Sequence, residues 1–249
     1  VTKENEWWHE FFPTFRPVLS GWPLARTDED VNYIINKLGL RKGMTVLDCP
    51  CGLGRVSLPL AKQGMRVTGV DVTSSYLEEL EAEAKKTRLK IELKHADMRR
   101  IDYDGEFDAV LNLWTSFGYF DKESDNLLVL KKFFRALKPG GRLVLQLINR
   151  DWIMANFSAR DWYAVGDVKV LEEREFDYTR SISKGVWTFV KEGEIRSHRV
   201  SVRSYSLHEL IEMFRKVGFV DIKAFGSTED EPVSLQKRWM WLFGTRPKK

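Results

Sequence analysis

Three aspartates stand at or just beyond the ends of short strand-like runs. Thr45–Val46–Leu47 closes on Asp48, Arg66–Val70 closes on Asp71, and Lys90–His95 leads to Asp97. A glycine-rich turn, Cys49-Pro50-Cys51-Gly52-Leu53-Gly54-Arg55, follows the first. Such a strand–loop–helix unit lets backbone approach a ligand closely at the positive end of a helix. A dinucleotide site would need G-x-G-x-x-G/A, and Gly52, Gly54 and Ser57 supply only its first half and a small residue. Charge separates the readings further. Asp48 lies where a pyrophosphate would sit, and an uncompensated carboxylate ~4 Å from a phosphate charge costs ~4 kcal/mol at an effective dielectric near 20. A ligand with an ammonium group and no phosphate turns that repulsion into attraction. Asp71 can accept from both hydroxyls of a ribose; an ordinary acid at a helix start is the competing reading.

Groups able to move a proton are few. His198, in Arg196-Ser197-His198-Arg199, is one candidate, and Tyr119 and Tyr205 are acids or orienting groups if their environment perturbs them. Exposed strand histidine and packed tyrosine are the plainer alternatives. His95 reads as structural. Aromatic residues cluster after the fourth strand, in Trp114-Thr115-Ser116-Phe117-Gly118-Tyr119-Phe120. An open α/β sheet binds ligands outside its carboxyl edge, so Trp114, Phe117, Tyr119 and Phe120 are the leading acceptor-pocket residues, with Trp152, Trp162 and Tyr163 behind them. Arg26 can pair with a carboxylate of cofactor or acceptor, or be a surface arginine. An aromatic lining suits a planar or apolar small molecule, or a cation.

The elements that must position these groups alternate. A helix capped at Thr27 precedes strand Thr45–Asp48; helix 53–63, strand 66–70, a helix capped at Ser74 and strand 90–95 follow. Phe107–Leu113 is a largely apolar run suited to a central parallel strand. Helix 124–138 stops at Lys138-Pro139-Gly140-Gly141 before strand 142–148. Alternating βα units predict a parallel sheet with helices on both faces. After Asn149 the pattern changes to three extended segments, Val168–Phe176, Val186–Lys191 and Glu194–Tyr205, with a hairpin turn at Lys191–Glu194. These form an antiparallel flap over 168–203. Ser206 and Glu209 spell a capping box, Gly218 ends that helix, and 219–225 and 235–243 are strands. Residues 1–26, rich in Trp and Phe but broken by Pro13, Pro17 and Pro23, read as an irregular or short-helical cap.

A chain of 249 residues, 43% hydrophobic and 31% charged, fits one α/β domain with an insertion. No run approaches the ~18 apolar residues of a membrane helix, and the first residues do not read as a secretory signal. Cys49 and Cys51 are too close for an ordinary bridge and too few for a structural zinc, which fits a reducing cytoplasm. The net charge of +4 is spread along the chain rather than gathered into a nucleic-acid footprint.

Taken together, Val46–Arg55, Gly69-Val70-Asp71-Val72-Thr73, Ala96-Asp97-Met98, Phe107–Leu113, Leu137–Gly141 and Gly218-Phe219 resemble the class I S-adenosylmethionine-dependent methyltransferases. The resemblance covers nearly the whole chain, as a single domain 1–249. It implies a Rossmann-like seven-stranded α/β sheet in the order 3-2-1-4-5-7-6, the last strand antiparallel, and S-adenosylmethionine as cofactor. Asp48, Cys49, Gly52 and Gly54 would hold its methionine end, Asp71 its ribose, Val72 the adenine face, Asp97 and Met98 the adenine edge, and Asn112 and Leu113 the ammonium. Methyl transfer from a sulfonium is an in-line displacement, served by alignment and exclusion of water, with a base only where the acceptor must lose a proton. The expected acceptor is a small molecule, methylated on O, N or C. Asn112-Leu113-Trp114-Thr115 is not the Asn/Asp-Pro-Pro-aromatic run of nucleic-acid amino methyltransferases, which argues against nucleic acid. An RNA or protein methyltransferase of the same fold, or a cofactor-binding regulator without catalysis, are the alternatives, and the flap offers a surface for a homodimer.

Overall fold

The computed structural model describes residues 6–21 and 27–248. Arg26, and Trp22 and Pro23 of the aromatic cap, lie outside them. Helices α1 (Trp8–Gly21) and α2 (Thr27–Leu38) precede β1 (Thr45–Asp48), α3 (Ser57–Lys62), β2 (Arg66–Asp71), α4 (Ser74–Lys86), β3 (Ile91–His95) and β4 (Phe107–Asn112). Then come α5 (Glu123–Ala136), β5 (Leu137–Ile148), α6 (Arg150–Ala155) and four flap strands, β6 (Arg160–Val165), β7 (Val168–Asp177), β8 (Ile182–Lys191) and β9 (Glu194–Arg203). Helix α7 (Leu207–Val217), β10 (Val220–Phe225) and β11 (Trp239–Thr245) complete the chain.

The main sheet has seven strands in the order β10-β11-β5-β4-β1-β2-β3, and β11 runs antiparallel to both neighbours, the arrangement the motifs implied. Its central strands alternate by face. Leu47, Val110, Leu143 and Leu145 point to the side covered by α5 and α7, while Val46, Ala109, Leu111 and Val144 point to α2 and α3. Both faces being buried is why these strands read as largely apolar runs. Helix α5 buries Val129, Leu130, Phe133 and Ala136 against the first face. Helix α7 starts on the Ser206–Glu209 capping box and ends at Gly218 in the left-handed conformation, as its sequence requires.

Several boundaries differ from expectation. Helix α3 begins at Ser57 rather than 53, because the glycine turn continues as loop. Thr73, not Ser74, is the N-cap of α4. The Pro-Gly-Gly stop belongs to β5, which starts at Leu137 immediately after α5. The flap is a separate four-stranded sheet, β6-β7-β8-β9, so it begins at Arg160 and not at 168. Its Glu192-Gly193 turn has positive φ at both residues, as a two-residue hairpin of this kind demands.

The N-terminal cap departs most. It is a 14-residue helix with Pro13 and Pro17 inside it. Each proline removes a ladder donor, yet Trp7, Phe11, Phe15 and Val18 fall on one helical stripe and are all buried. Packing therefore overrides propensity. The Trp7 indole donates to the Ser201 carbonyl of β9 at 3.1 Å, Phe11 and Phe15 meet the Trp187 ring at 5.4 and 5.7 Å, and Arg16 pairs with Glu79 of α4. Helix α1 thus ties the flap to the main sheet. Among the described residues no helix is long and apolar enough to cross a membrane.

Candidate active site

A cleft of about 2130 Å³ opens between the carboxyl ends of β1, β2 and β4, helix α1 and the inner face of the flap. Small-molecule pockets commonly enclose roughly 300–1,000 Å³, so this one has room for two ligands side by side.

The first wall is the β1–α3 loop. Cys51 N–H donates to the Val70 carbonyl and Gly54 N–H to the Cys51 carbonyl, which folds the loop back over β2. Gly52 (φ +54) has open space where a Cβ would stand, and its N–H donates to Asp71 at 2.8 Å. Gly54 (φ +80) is required for another reason: a Cβ there would overlap the Leu80 side chain of α4. The second glycine serves packing rather than ligand approach.

Asp48 and Asp71 are 3% and 6% exposed at adjoining strand tips. Asp48 accepts from the Ser57 hydroxyl at 2.6 Å. Burial pushes its pKa up to about 7; Ser57 and the Arg55 guanidinium pull down against this, and Asp71 adds to the rise. Asp71 accepts from Gly52 and Thr73 N–H groups at 2.8 Å each, and burial outweighs them, so its pKa is raised too. Two buried carboxylates face one cleft, the Arg55 guanidinium that acts on Asp48 is itself paired with Asp30, and each oxygen keeps lone pairs for a further donor. A cationic, hydroxyl-bearing ligand fits this wall.

The remaining expected cofactor residues distribute unevenly. Cys49, Val72, Met98 and Leu113 line the cleft. Asp97 lines it as well, but its carboxylate already receives the Arg99 N–H at 2.7 Å and the Arg99 guanidinium at 2.6–3.2 Å. Any adenine contact there shares an ion-paired acid. Asn112 is fully buried and not part of the lining; its Nδ2 donates to the Cys49 carbonyl at 2.8 Å, tying β4 to the glycine loop, while its Oδ1 has no partner. His95 bonds the Val72 carbonyl at 2.8 Å, the structural part expected of it.

At the exit of β4, Trp114 and Thr115 both adopt left-handed backbone, φ +58 each. Gln146 of β5, 2% exposed, holds this strained pair: its Oε1 accepts from Trp114 N–H at 3.2 Å and its carbonyl from Thr115 N–H at 2.9 Å. The Trp114 ring then stacks under the Arg55 guanidinium at 4.7 Å, and Arg55 pairs with Asp30 at 2.8 Å. Arg55 Nη2 is buried without a partner. Sequence reasoning missed Arg55 and Gln146; Arg55 sits inside the glycine motif, but only the fold turns it onto Trp114.

Of the acceptor residues, Trp114, Tyr119 and Trp152 line the cleft, and Phe117 reaches it while being 1% exposed and largely core. Tyr119 packs on Trp7 at 4.9 Å and on Phe12 at 6.1 Å, and burial raises its pKa, so it stays protonated. Trp162 does not line the cleft; at 67% exposure it faces outward from β6.

The proton-moving candidates are corrected. His198 is not in the cleft lining: the register of β8 and β9 places it beside Trp187 against α1, where its Nε2 meets Thr14 Oγ1 at 3.0 Å. Burial lowers its pKa, with Arg196 adding to the effect. Tyr205 borders the cleft, but its hydroxyl donates to the Glu123 carboxylate of α5 at 3.0 Å and its ring lies under Arg203 at 4.4 Å. Burial and Glu123 raise its pKa, leaving a structural hydroxyl. In their place the flap presents Tyr163, Glu172 and Arg174 to the cleft.

Residues 46–141 match the model of a methyltransferase domain. Among curated relatives, the chain is 37% identical over 147 residues to an S-adenosyl-L-methionine-dependent Diels-Alderase of Talaromyces variabilis, covering 55% of this chain and 46% of that one. It is 27% identical over 209 residues to a glycine/sarcosine N-methyltransferase of Parasynechococcus marenigrum, covering 81% and 72%. The chain spans about half the length of the first curated relatives it matches. An S-adenosylmethionine-dependent methyltransferase from Clostridium acetobutylicum superposes with a TM-score of 0.79 at 16% identity, covering 96% of this chain and 99% of that one. At that identity the likeness is one of fold. Motif order, sheet topology and the matched stretch agree: residues 46–141 are a methyltransferase domain of the Rossmann-like, S-adenosylmethionine-dependent class.

Proposed function

We propose that the protein transfers a methyl group from S-adenosylmethionine to an O, N or C atom of a small-molecule acceptor. The observation that carries this is the wall made by Asp48 and Asp71, two buried carboxylates at adjoining strand tips, in a cleft large enough for a second ligand. S-Adenosylmethionine supplies a methyl group on a sulfonium, together with an α-ammonium and a ribose. Asp48 would face the ammonium, Asp71 would accept from the ribose hydroxyls, and Val72, Asp97 and Met98 would border the adenine. Arg55, with its buried Nη2 free and its ring-stacked guanidinium fixed, would hold the methionine carboxylate. The aromatic residues of α1 and of the β4 exit would exclude water and align the acceptor.

Two further readings have an observation each. A relative named as an S-adenosyl-L-methionine-dependent Diels-Alderase favours a cofactor-bound enzyme that does not methylate. A homodimer through the flap is favoured by Trp162 and Leu171, exposed partners across β6 and β7; sedimentation velocity of the wild type and Trp162→Glu tests it. The main reading is tested with cofactor carrying a labelled methyl group and a metabolite extract. Label in a small product, with S-adenosylhomocysteine formed in equal amount, supports it. Bound cofactor recovered intact beside a converted substrate would replace it with the Diels-Alderase type of reading.

A further inference from the structure

The inner face of β7 carries Val168, Val170, Glu172, Arg174 and Phe176 in alternation. Val168, Val170 and Phe176 are buried, as a sheet face packed on aromatic residues should be, and Glu172 is buried among them at 3% exposure. Folding alone gives no reason for a carboxylate there. Desolvating an ion pair costs several kcal/mol per ion, and replacing a buried pair by apolar residues of similar volume is often neutral or stabilising. Glu172 and Arg174 nevertheless both line the cleft of the candidate active site.

The local charge does not balance. Arg174 Nε donates to Glu172 Oε2 at 2.8 Å, and the same guanidinium lies 3.5 Å from Asp161 of β6. The Tyr163 phenol lies close enough to interact electrostatically with Glu172. Two carboxylates share one guanidinium, which leaves a net negative wall. Directly across the sheet from Glu172 stands Trp187, also in the lining, its ring held edge-on by Phe11 and Phe15. The nearest other lining cation on β8, Lys184, pairs with Asp177 at 3.4 Å. A carboxylate beside a fixed aromatic face is the combination that selects organic cations.

We propose that Tyr163, Glu172 and Arg174, with Trp187 opposite, form an acceptor subsite that binds a protonated amine. This rests on the methyl-transfer reading and narrows its acceptor to amine-bearing small molecules. Arg174 and Tyr163 orient the carboxylate, and Trp187 covers the apolar part of the ligand.

The test uses the full chain saturated with S-adenosylhomocysteine and calorimetric titration at pH 7.5. The probes are benzylamine and phenethylamine, with benzyl alcohol and 2-phenylethanol as neutral counterparts. The amines are expected to bind at least tenfold more tightly than the alcohols. Glu172→Gln should reduce that ratio by tenfold or more, with S-adenosylhomocysteine affinity unchanged within twofold, and Tyr163→Phe should reduce it two- to fivefold. Equal affinities, binding by neither class, or an unchanged ratio in Glu172→Gln would overturn the proposal. Should Glu172→Gln lose S-adenosylhomocysteine binding through misfolding, Tyr163→Phe decides, and an unchanged ratio there overturns it. Failure of the wild type to bind S-adenosylhomocysteine would instead remove the methyltransferase reading.

Discussion

Lowering the pH from 8 to 5 is expected to weaken S-adenosylmethionine binding through Asp48. Burial raises this carboxyl from the ordinary 3.8 to about 7. At about 1.4 kcal/mol per unit, that shift places about 4 kcal/mol against ionising Asp48 in the ligand-free fold. The sign follows from the direction. A carboxyl whose folded pKa lies above its unfolded value contributes stability that is present below about pH 4 and is lost as pH rises through about 7. A ligand bringing an ammonium to Asp48 reverses the preference and binds the ionised form. Below pH 7 that form falls about tenfold per unit, to about one molecule in ten at pH 6 and one in a hundred at pH 5. The ligand's own amino group, ordinarily near 7.7–8.0, stays protonated from pH 5 to about pH 7 and is about half deprotonated at pH 8, so the slope below pH 7 belongs to the protein.

Calorimetry at pH 5, 6, 7 and 8, in two buffers of different ionisation enthalpy, reads both the affinity and the protons released. The control ligand is 5′-methylthioadenosine, which keeps the ribose and adenine but has neither ammonium nor sulfonium. In the proposed placement Asp71 would face the ribose in both ligands, and its pKa is also raised, so a shallow slope with the control would report Asp71. The difference between the two slopes reports Asp48. Asp48→Asn should remove that difference and weaken S-adenosylmethionine binding at pH 8 by about 1.5–3 kcal/mol, the scale of a hydrogen bond to a charged group. Identical slopes for the two ligands, or a difference that survives in Asp48→Asn, would refute the assignment of Asp48 to the ammonium.

Asp71→Ala should weaken cofactor binding by about 1–3 kcal/mol in the same titration; because Asp71 also anchors the Gly52 N–H, an unchanged affinity would remove both its ribose role and its hold on the loop. His198→Ala should leave methyl transfer to an identified acceptor within about twofold, since Thr14 and not the cleft receives its ring; a drop of a hundredfold or more would restore it as a base. Phe133→Ala, at a fully buried position of α5, should lower stability in urea unfolding by about 3–5 kcal/mol, and a loss under 1 kcal/mol would mean that the α5 face is poorly packed.

The main sheet was legible because its signals are local. Central parallel strands buried on both faces read as apolar runs, their acids mark the carboxyl edge, and Ser206 with Glu209 spells the start of α7 within four residues. Helix α1 was harder, since Pro13 and Pro17 obscure a stripe, Trp7, Phe11, Phe15 and Val18, that is present in the sequence at helical spacing. The cofactor loop divided along the same line. Asp48 and Asp71 follow from strand ends, whereas the part played by Gly54 depends on where Leu80 of α4 comes to lie.

The acceptor wall is where local reading gives out, and the reason is register. Along β7 the segment Leu171-Glu172-Glu173-Arg174-Glu175 looks like the charged edge of an exposed strand, with four of its five residues ionisable. Which of those charges enter the cleft depends on a single parity: Glu172 and Arg174 face inward with Val170 and Phe176, while Glu173 and Glu175 face solvent. The same parity governs β8 and β9, where Trp187 lines the cleft while His198, its direct partner, is drawn against Thr14 of α1. A one-residue slip in the flap would exchange the inner and outer sets entirely. The apolar residues of the inner face, anchored by Phe11 and Phe15, prevent that slip. Helix α1 therefore does more than cover the cleft: by fixing the register of the flap, it selects which carboxylate an acceptor meets.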